Sequence, residues 1–360
     1  MRMRNVWGAA VLVLGCNAEP SGGGTSFTSA GDSSTGPMET TTMSPPPDPS
    51  TTSGTDSGSA DSTGVGSDSG SSGSTGDDVT TGGEPNMVDC MGVFPPQWQD
   101  GTDCDNAFPY EVHQYGYGTV IFRQALCTHA NAPFFYMLFG QEQALLFDTG
   151  TGSNSVGGAV LDIVDQWLAV TGLPDIELLV VNSHADADHD GGNFQFESTA
   201  FATIVGSSQA EIEAYFGFEN WPTEVVTHDL GGRPIDIIPT PGHAPGHIAV
   251  YDHQTGVLLT ADTLLPGRIF IEDFDTFATS VERLVVHTEI RDVCHVLGGH
   301  IGMTNQPGVP YDFGAMVHPN ERELEMSRDH LLELHQAVQA MAKSGVVVTE
   351  THNDFVIFPL

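Results

Sequence analysis

VVNSHADADHDGGN, residues 180–193, holds two His and three Asp in fourteen positions, directly after an apolar run and ending on paired glycines. The apolar run reads as a buried strand and the glycines as a tight loop, so several metal-ligating side chains leave one strand end together. Neutral imidazole and carboxylate are the donors used by zinc and by non-haem iron. His184, Asp186, Asp188 and His189 fall within one turn of that loop, close enough to serve two ions spaced about 3.5–4 Å apart.

Three later segments repeat the design. TPGHAPGHIAVYD (240–252) carries His243 and His247, LLTADTLL (258–265) ends a strand on Asp262, and VLGGHIGM (296–303) ends another on His300. Each ligand type stands beside small residues that let other groups approach closely. Upstream, LLFDTG (145–150) places Asp148 after a further apolar run.

Between and around these segments the chain alternates strand and helix. YGTVIF, PFFYMLF, QALLFDTG and IELLVVNSH have strand composition, as do the surroundings of Val225, Ile237, Ile248, Leu258, Val346 and Phe355, and DVCHVLGG. Residues 156–170, 210–218, 280–290 and 320–342 have helical spacing, and in the last Leu324, Leu331, Leu334 and Val338 share one face. This alternation predicts a layered α/β domain over residues 89–360.

These motifs, in this order, resemble the metallo-β-lactamase superfamily, the fold of glyoxalase II-type thioesterases, lactonases and zinc β-lactamases. Its motif is His-x-His-x-Asp-His-x-Gly-Gly, then a His in PGHTPGH, an Asp after a strand and a distal His. HADADHDGG matches except at Asp186, and Asp148 matches the early DTG element. The resemblance covers about 110–360 and implies a four-layer αββα sandwich. It implies one metal on His184, Asp186 and His243, a second on Asp188, His189 and His300, and Asp262 bridging both. Asp148 and His247 would orient ligands from behind.

Asp186 stands where the family has a neutral His, as in the flavodiiron members. A working ligand there brings a third carboxylate and moves metal preference from zinc toward iron or manganese. The implied activity is hydrolysis of an ester, thioester or lactone by a metal-bound hydroxide, with Asp188 and Asp262 as catalytic carboxylates and a small-molecule substrate. An Asp at position 262 fits glyoxalase II and lactonase relatives rather than zinc β-lactamases. The competing readings are an iron-dependent oxidoreductase and a tethered, non-catalytic metal-binding protein.

Charge narrows the partners. The formal net charge is −37, from 47 acidic and 10 basic residues, and the only lysine is Lys343. Nucleic acid is excluded for want of any Lys/Arg cluster. Arg268, shortly after Asp262, is a candidate for a substrate carboxylate, with an exposed, solvated Arg as the plainer reading. His287, His295, His318 and His330 lack motif support.

The ends of the chain concern location. MRMRNVWGAAVLVLGC (1–16) has two Arg, a short apolar stretch and a small residue before Cys16. It reads as an export signal, and VLGC resembles a bacterial lipobox that would be lipidated on Cys16. The alternative is an ordinary signal cut nearby. Residues 17–88 are Ser, Thr, Gly and Asp with few apolar groups, which predicts a disordered tether spanning about 45–50 Å root-mean-square. Cys90, Cys104, Cys127 and Cys294 remain, an even count that predicts two disulfides in an exported chain, with buried thiols as the alternative. Cys90 with Cys104 is the natural local pair.

Overall fold

A computed structural model describes Val88 and residues 90–360. The signal, Cys16 and, apart from Val88, the 17–88 segment lie outside the described residues. Among the described residues no helix is long and apolar enough to cross a membrane.

Two six-stranded sheets face each other. The first runs β1-β2-β3-β4-β5-β6, from Tyr110–Gly116, Thr119–Gln124, Phe134–Phe139, Gln143–Phe147, Glu177–Val181 and Ala202–Ile204. The second runs β13-β12-β10-β9-β8-β7. Its members are β7 Val226–Asp229, β8 Pro234–Pro239, β9 Ile248–Asp252, β10 Val257–Ala261, β12 His295–Gly298 and β13 Glu325–Met326. A small sheet joins β11 (Arg268–Ile271), β15 (Val356–Pro359) and β14 (Glu350–Thr351). The helices are α1 Val156–Thr171, α2 Ala187–Asp190, α3 Gln209–Phe216, α4 Phe274–His287 and α5 Arg328–Ser344.

The strand pattern fixes the layers. Leu145, Phe147, Leu179 and Val181 meet Ile237, Val250 and Leu259 between the two sheets. Their alternate neighbours, such as Leu146 and Val180, point the other way, under Val160, Val164 and Trp167 of α1. On the second sheet Leu258 and Val296 pack under Phe277, Val281 and Leu284 of α4 and Leu331, Leu334 and Val338 of α5. This is the four-layer αββα sandwich, with every central strand buried on both faces.

Several expectations need correction. The helix expected over 320–342 begins only at Arg328. Asn320 has φ 64°, Leu324 inserts between the sheets rather than beside Leu331, and Met326 pairs with Val296. Tertiary pairing therefore overrides helical composition in that stretch. The helix expected over 280–290 starts earlier, at Phe274, where the Asp273 side chain accepts from the Thr276 N–H. The strand expected at Val346 is absent, because α5 runs to Ser344 and closes on Gly345 in the left-handed conformation. Val346, Val347 and Val348 are exposed.

The four cysteines do form two disulfides, but not the local one. Cys90 pairs with Cys294 and Cys104 with Cys127, each with Cα atoms 5.4 Å apart. The segment after Cys90 lies along β1, with the Val93 N–H donating to Tyr115 O and the His113 ring bonded to Val93 O. That path delivers Cys90 to the start of β12. Trp98 then anchors in the core, and Cys104 is carried toward the loop that follows β2.

Candidate metal centre

All seven motif residues sit just beyond strand ends at one edge of the sandwich. His184 follows β5, and Asp186 caps the single-turn α2 that carries Asp188 and His189. His243 follows β8, Asp262 follows β10 and His300 follows β12. Two residues here take unusual backbone conformations, Asp148 at φ 69° and Ala261 at φ 43°, so the turns that aim Asp148 and Asp262 are held against local preference. Glycine is required at 299, where a Cβ would stand 2.6 Å from Asp262 Oδ1 and 2.9 Å from His189 Cε1.

The imidazoles share one orientation rule: Nδ1 is tied down and Nε2 is presented to the centre. His243 Nδ1 lies 2.8 Å from Phe270 O and His300 Nδ1 2.8 Å from Asn131 O. A carbonyl only accepts, so both rings carry a proton on Nδ1 and turn Nε2 to the centre. His189 Nδ1 meets Asp148 Oδ2 at 2.8 Å. Ser183 Oγ donates to the same Asp148 oxygen at 2.9 Å and faces His184 Nδ1 at 2.9 Å. Four Nε2 atoms are thereby aimed inward, the arrangement that supporting partners impose on metal-binding histidines.

What faces those nitrogens is carboxylate at a characteristic spacing. Asp186 Oδ2 is 3.5 Å from both His184 Nε2 and His243 Nε2. His300 Nε2 is 3.4 Å from Asp188 Oδ2 and 3.5 Å from Asp262 Oδ1, and His189 Nε2 is 3.4 Å from Asp262 Oδ1. Asp262 Oδ2 turns the other way, 3.8 Å from His243 Nε2. These are long for hydrogen bonds. They match the roughly 3.4 Å that separates two donors each about 2.1 Å from one tetrahedral ion.

The buried atoms give the same result. His184 Nε2, His243 Nε2 and Asp262 Oδ1 have no hydrogen-bond partner, and His189 Nε2 stands 3.1 Å from His300 Nε2. A proton shared between the two nitrogens or a cation between them holds such a pair, and the unpaired buried atoms beside it are places where a cation would be welcome. His184, Asp186 and His243 form one group able to hold a cation, Asp188, His189 and His300 a second, and Asp262 with His184 and His189 a third that overlaps both. The donor set fits a divalent metal.

Electrostatics follow from this crowding. Burial disfavours charge on His189, but Asp148 and Asp262 outweigh it and hold its pKa well above the usual histidine range. Burial likewise opposes ionisation of Asp262, and His300 and His189 more than offset it. His184 and His243 keep the Asp186 carboxyl far below its ordinary range. His247 joins none of the three groups. Its ring lies 4.8 Å from that of His184, its Nδ1 is bonded to Thr240 Oγ1, and burial keeps it neutral.

One contributor carried no sequence signal. Asn131 donates from Nδ2 to Asp188 Oδ2 at 2.5 Å while its carbonyl accepts from His300. One residue thus braces two of the three residues of the second group, Asp188 through its side-chain amide and His300 through its main-chain carbonyl. Beyond the carboxylates opens a cavity of about 320 Å³, walled by Leu265, Arg268, Phe270, Tyr311, Phe313 and His318.

Parts of the chain are similar to known proteins. A hydroxyacylglutathione hydrolase of Rhizobium meliloti is 30% identical over 109 residues, covering 29% of this chain and 42% of that protein. The match therefore spans less than half of that relative's own length. An acyl-coenzyme A thioesterase of Bos taurus is 23% identical over 225 residues, covering 53% of this chain and 81% of that one. A solved metallo-β-lactamase from Pontibacter korlensis aligns with TM-score 0.43 and 15% identity over 64% of this chain and 99% of its own. The family model described as the metallo-β-lactamase superfamily matches residues 131–342, from the asparagine that braces the second group to the last turns of α5. With that span and these converging strand ends, the chain belongs to the metallo-β-lactamase superfamily.

Proposed function

We propose that the chain is a metal-dependent hydrolase acting on a small ester, thioester or lactone. The observation that carries this reading is the shared aim of four imidazole Nε2 atoms and three carboxylates at one cavity floor. His184, Asp186 and His243 would hold one divalent cation and Asp188, His189 and His300 another. Asp262 would serve both, one oxygen to each. Zinc is the metal proposed, with iron or manganese favoured to the extent that Asp186 binds.

A bound pair of cations would acidify water near neutral pH and polarise the substrate's carbonyl oxygen. The protein's own part is positioning. Asp188, held by Asn131, orients the attacking water and accepts its proton on a carboxylate oxygen. Asp148 and the Phe270 and Asn131 carbonyls keep the rings from turning. No serine or cysteine nucleophile is needed. The names of the relatives, a hydroxyacylglutathione hydrolase and an acyl-coenzyme A thioesterase, support thioesters within this class.

The test is metal quantification coupled to a panel of esters, thioesters, lactones and phosphodiesters. Two divalent ions per chain and hydrolysis lost on chelation and restored by metal are expected. Full activity after chelation, or a metal-loaded protein inert to the whole panel, overturns the reading. The location proposed is a lipid-anchored exported protein, supported by VLGC before the Cys16 site. Cys16→Ser should move the protein from the detergent phase to the aqueous phase.

A further inference from the structure

Of the described histidines outside the metal groups, only His318 lines the cavity in front of them. Others are committed elsewhere: His113 to Val93 O, His228 to Gln143, His247 to Thr240, and His253 and His287 to Asp236. No sequence motif marks His318. The fold alone brings it into the wall.

Its ring is fixed from three sides. Nδ1 lies 2.9 Å from Glu321 Oε1. Tyr311 stacks on the face, 4.0 Å away and 2° from parallel, and the Tyr311 hydroxyl donates to Pro319 O. The His318 N–H donates to Asp100 O at 2.7 Å. Glu321 is fixed in turn. The fully buried Arg123 donates from Nη1 to Oε2 at 2.8 Å and from Nη2 to Oε1 at 2.5 Å. A carboxylate gripped by a guanidinium can only accept from the imidazole. His318 therefore carries a proton on Nδ1, and Nε2 is the nitrogen left to exchange one.

The two edges of the ring face different spaces. Glu321 lines a second cavity, between residues 92–98 and 320–325, and has no place in the wall of the first. Tyr311 lines the metal cavity and not the second. His318 borders both, so its Nδ1 edge is used on the far side and its Nε2 edge turns to the near one. Among the described residues Nε2 has no hydrogen-bond partner, and it is not one of the enclosed polar atoms left unpaired. Closing the turn around Pro319 takes only the Nδ1 donor.

We infer that His318 is the general acid of this cavity, giving a proton from Nε2 to the leaving oxygen of the substrate, with Glu321 as its positioning residue. This rests on the hydrolase reading above. The bond between the carbonyl carbon and the leaving oxygen breaks, its electron pair stays on that oxygen, and the Nε2 proton joins it. His318 regains a proton from water as the product leaves. Imidazole can carry such a proton near neutral pH, and a positioned donor is worth about 10²–10⁴-fold in rate. The gain depends on the leaving group. An alkoxide is too basic to depart unprotonated, whereas a thiolate or a nitrophenolate departs readily. Within the proposed class the dyad thus selects alkyl esters and lactones over thioesters.

The experiment uses the full metal-loaded chain with ethyl butyrate and p-nitrophenyl butyrate, which share an acyl group and differ in the basicity of the leaving oxygen. His318→Asn keeps an amide N–H for Glu321 and removes Nε2. It should lower kcat on ethyl butyrate by about 100-fold or more, and on the nitrophenyl ester by about threefold or less. His318→Gln should show the same split. Equal losses on the two esters, or no loss on either, in a variant with unchanged metal content and melting temperature overturns the inference and leaves the hydrolase reading standing. If the wild type cleaves neither ester, the hydrolase reading fails and this inference with it. Nitrogen NMR of the zinc-loaded wild type supplies a readout apart from turnover and from any variant. The neutral His318 ring should carry its proton on Nδ1, and a proton on Nε2 instead overturns the assignment.

Discussion

Asp252 and Asp262 are both buried carboxylates on the second sheet, and they are satisfied in opposite ways. Asp252 is closed by its own chain. Arg233 donates from Nε to Oδ1 at 3.0 Å and from Nη2 to Oδ2 at 2.7 Å, and Thr255 adds a hydroxyl at 2.5 Å. The remaining guanidinium hydrogens reach Gly118 O, Phe139 O and Thr119 on the facing sheet. Asp262 instead faces the Nε2 atoms of His189 and His300 at 3.4 and 3.5 Å, too long for good hydrogen bonds, and its Oδ1 has no hydrogen-bond partner. A buried charge paired by arginine is part of the scaffold. A buried charge among imidazole nitrogens at metal-ligand spacing is a candidate place for a cation from outside.

Removing each carboxylate's support should separate the two cases. Asp262→Ala has the largest effect expected. It should empty both cation places, seen as fewer than one ion per chain, and lower kcat/KM by at least about 10³-fold, beyond the 10–100-fold typical of losing a supporting partner. Retention of two ions per chain would show that Asp262 is no shared ligand. Arg233→Met should do the reverse, lowering stability by about 3 kcal/mol in denaturant titration with metal content intact. Burial opposes ionisation of Asp252, and Arg233 more than offsets it, so its carboxyl titrates below its ordinary value of 3.8. Its ionised form therefore contributes stability above that pH, and the contribution is lost as pH falls below it. The acid limb of the stability profile should be shallower in Arg233→Met.

The same contrast explains what was legible in the sequence. The candidate ligands could be placed at strand ends because a continuous apolar run followed by small residues marks where a buried strand stops. A supporting role for Asp148 came only from the resemblance, and its bond to the ring of His189 came from the structure. Asn131 could not be placed. It sits in a turn after β2, and its role depends on the β10–β12 edge folding back to within hydrogen-bond reach of it. The disulfides were misread for a related reason, since loop length says nothing of a path pinned along β1 by Val93. In residues 320–327, composition favoured helix while Leu324 and Met326 were drawn into the sheets. Local pattern predicts what one element does; partners supplied by distant elements escape it.

Smaller effects test the two halves of the metal centre against each other. Asp188 is 17% exposed and braced by Asn131, while Asp186 is 57% exposed and, among the described residues, meets only His184 and His243. Asn131→Ala should weaken the second cation place by about 10–100-fold in a competition titration and leave the first nearly unchanged.

Asp186→His should have the smallest effect on rate. Position 186 caps α2 with extended backbone, φ −75° and ψ 142°, which any residue adopts, and its side chain has room to lengthen toward solvent. A histidine there restores a neutral donor and removes one carboxylate from a centre that holds three. Metal content should stay at two ions per chain, while the bound metal after growth with mixed supplements shifts toward zinc. The rate change should be within about tenfold, because Asp262 still joins the two places and Asp188 still orients water. Identical content and identity in both proteins would mean that Asp186 holds no cation. The 3.5 Å spacing to its two imidazoles would then record only the attraction of an exposed carboxylate to the rings beside it.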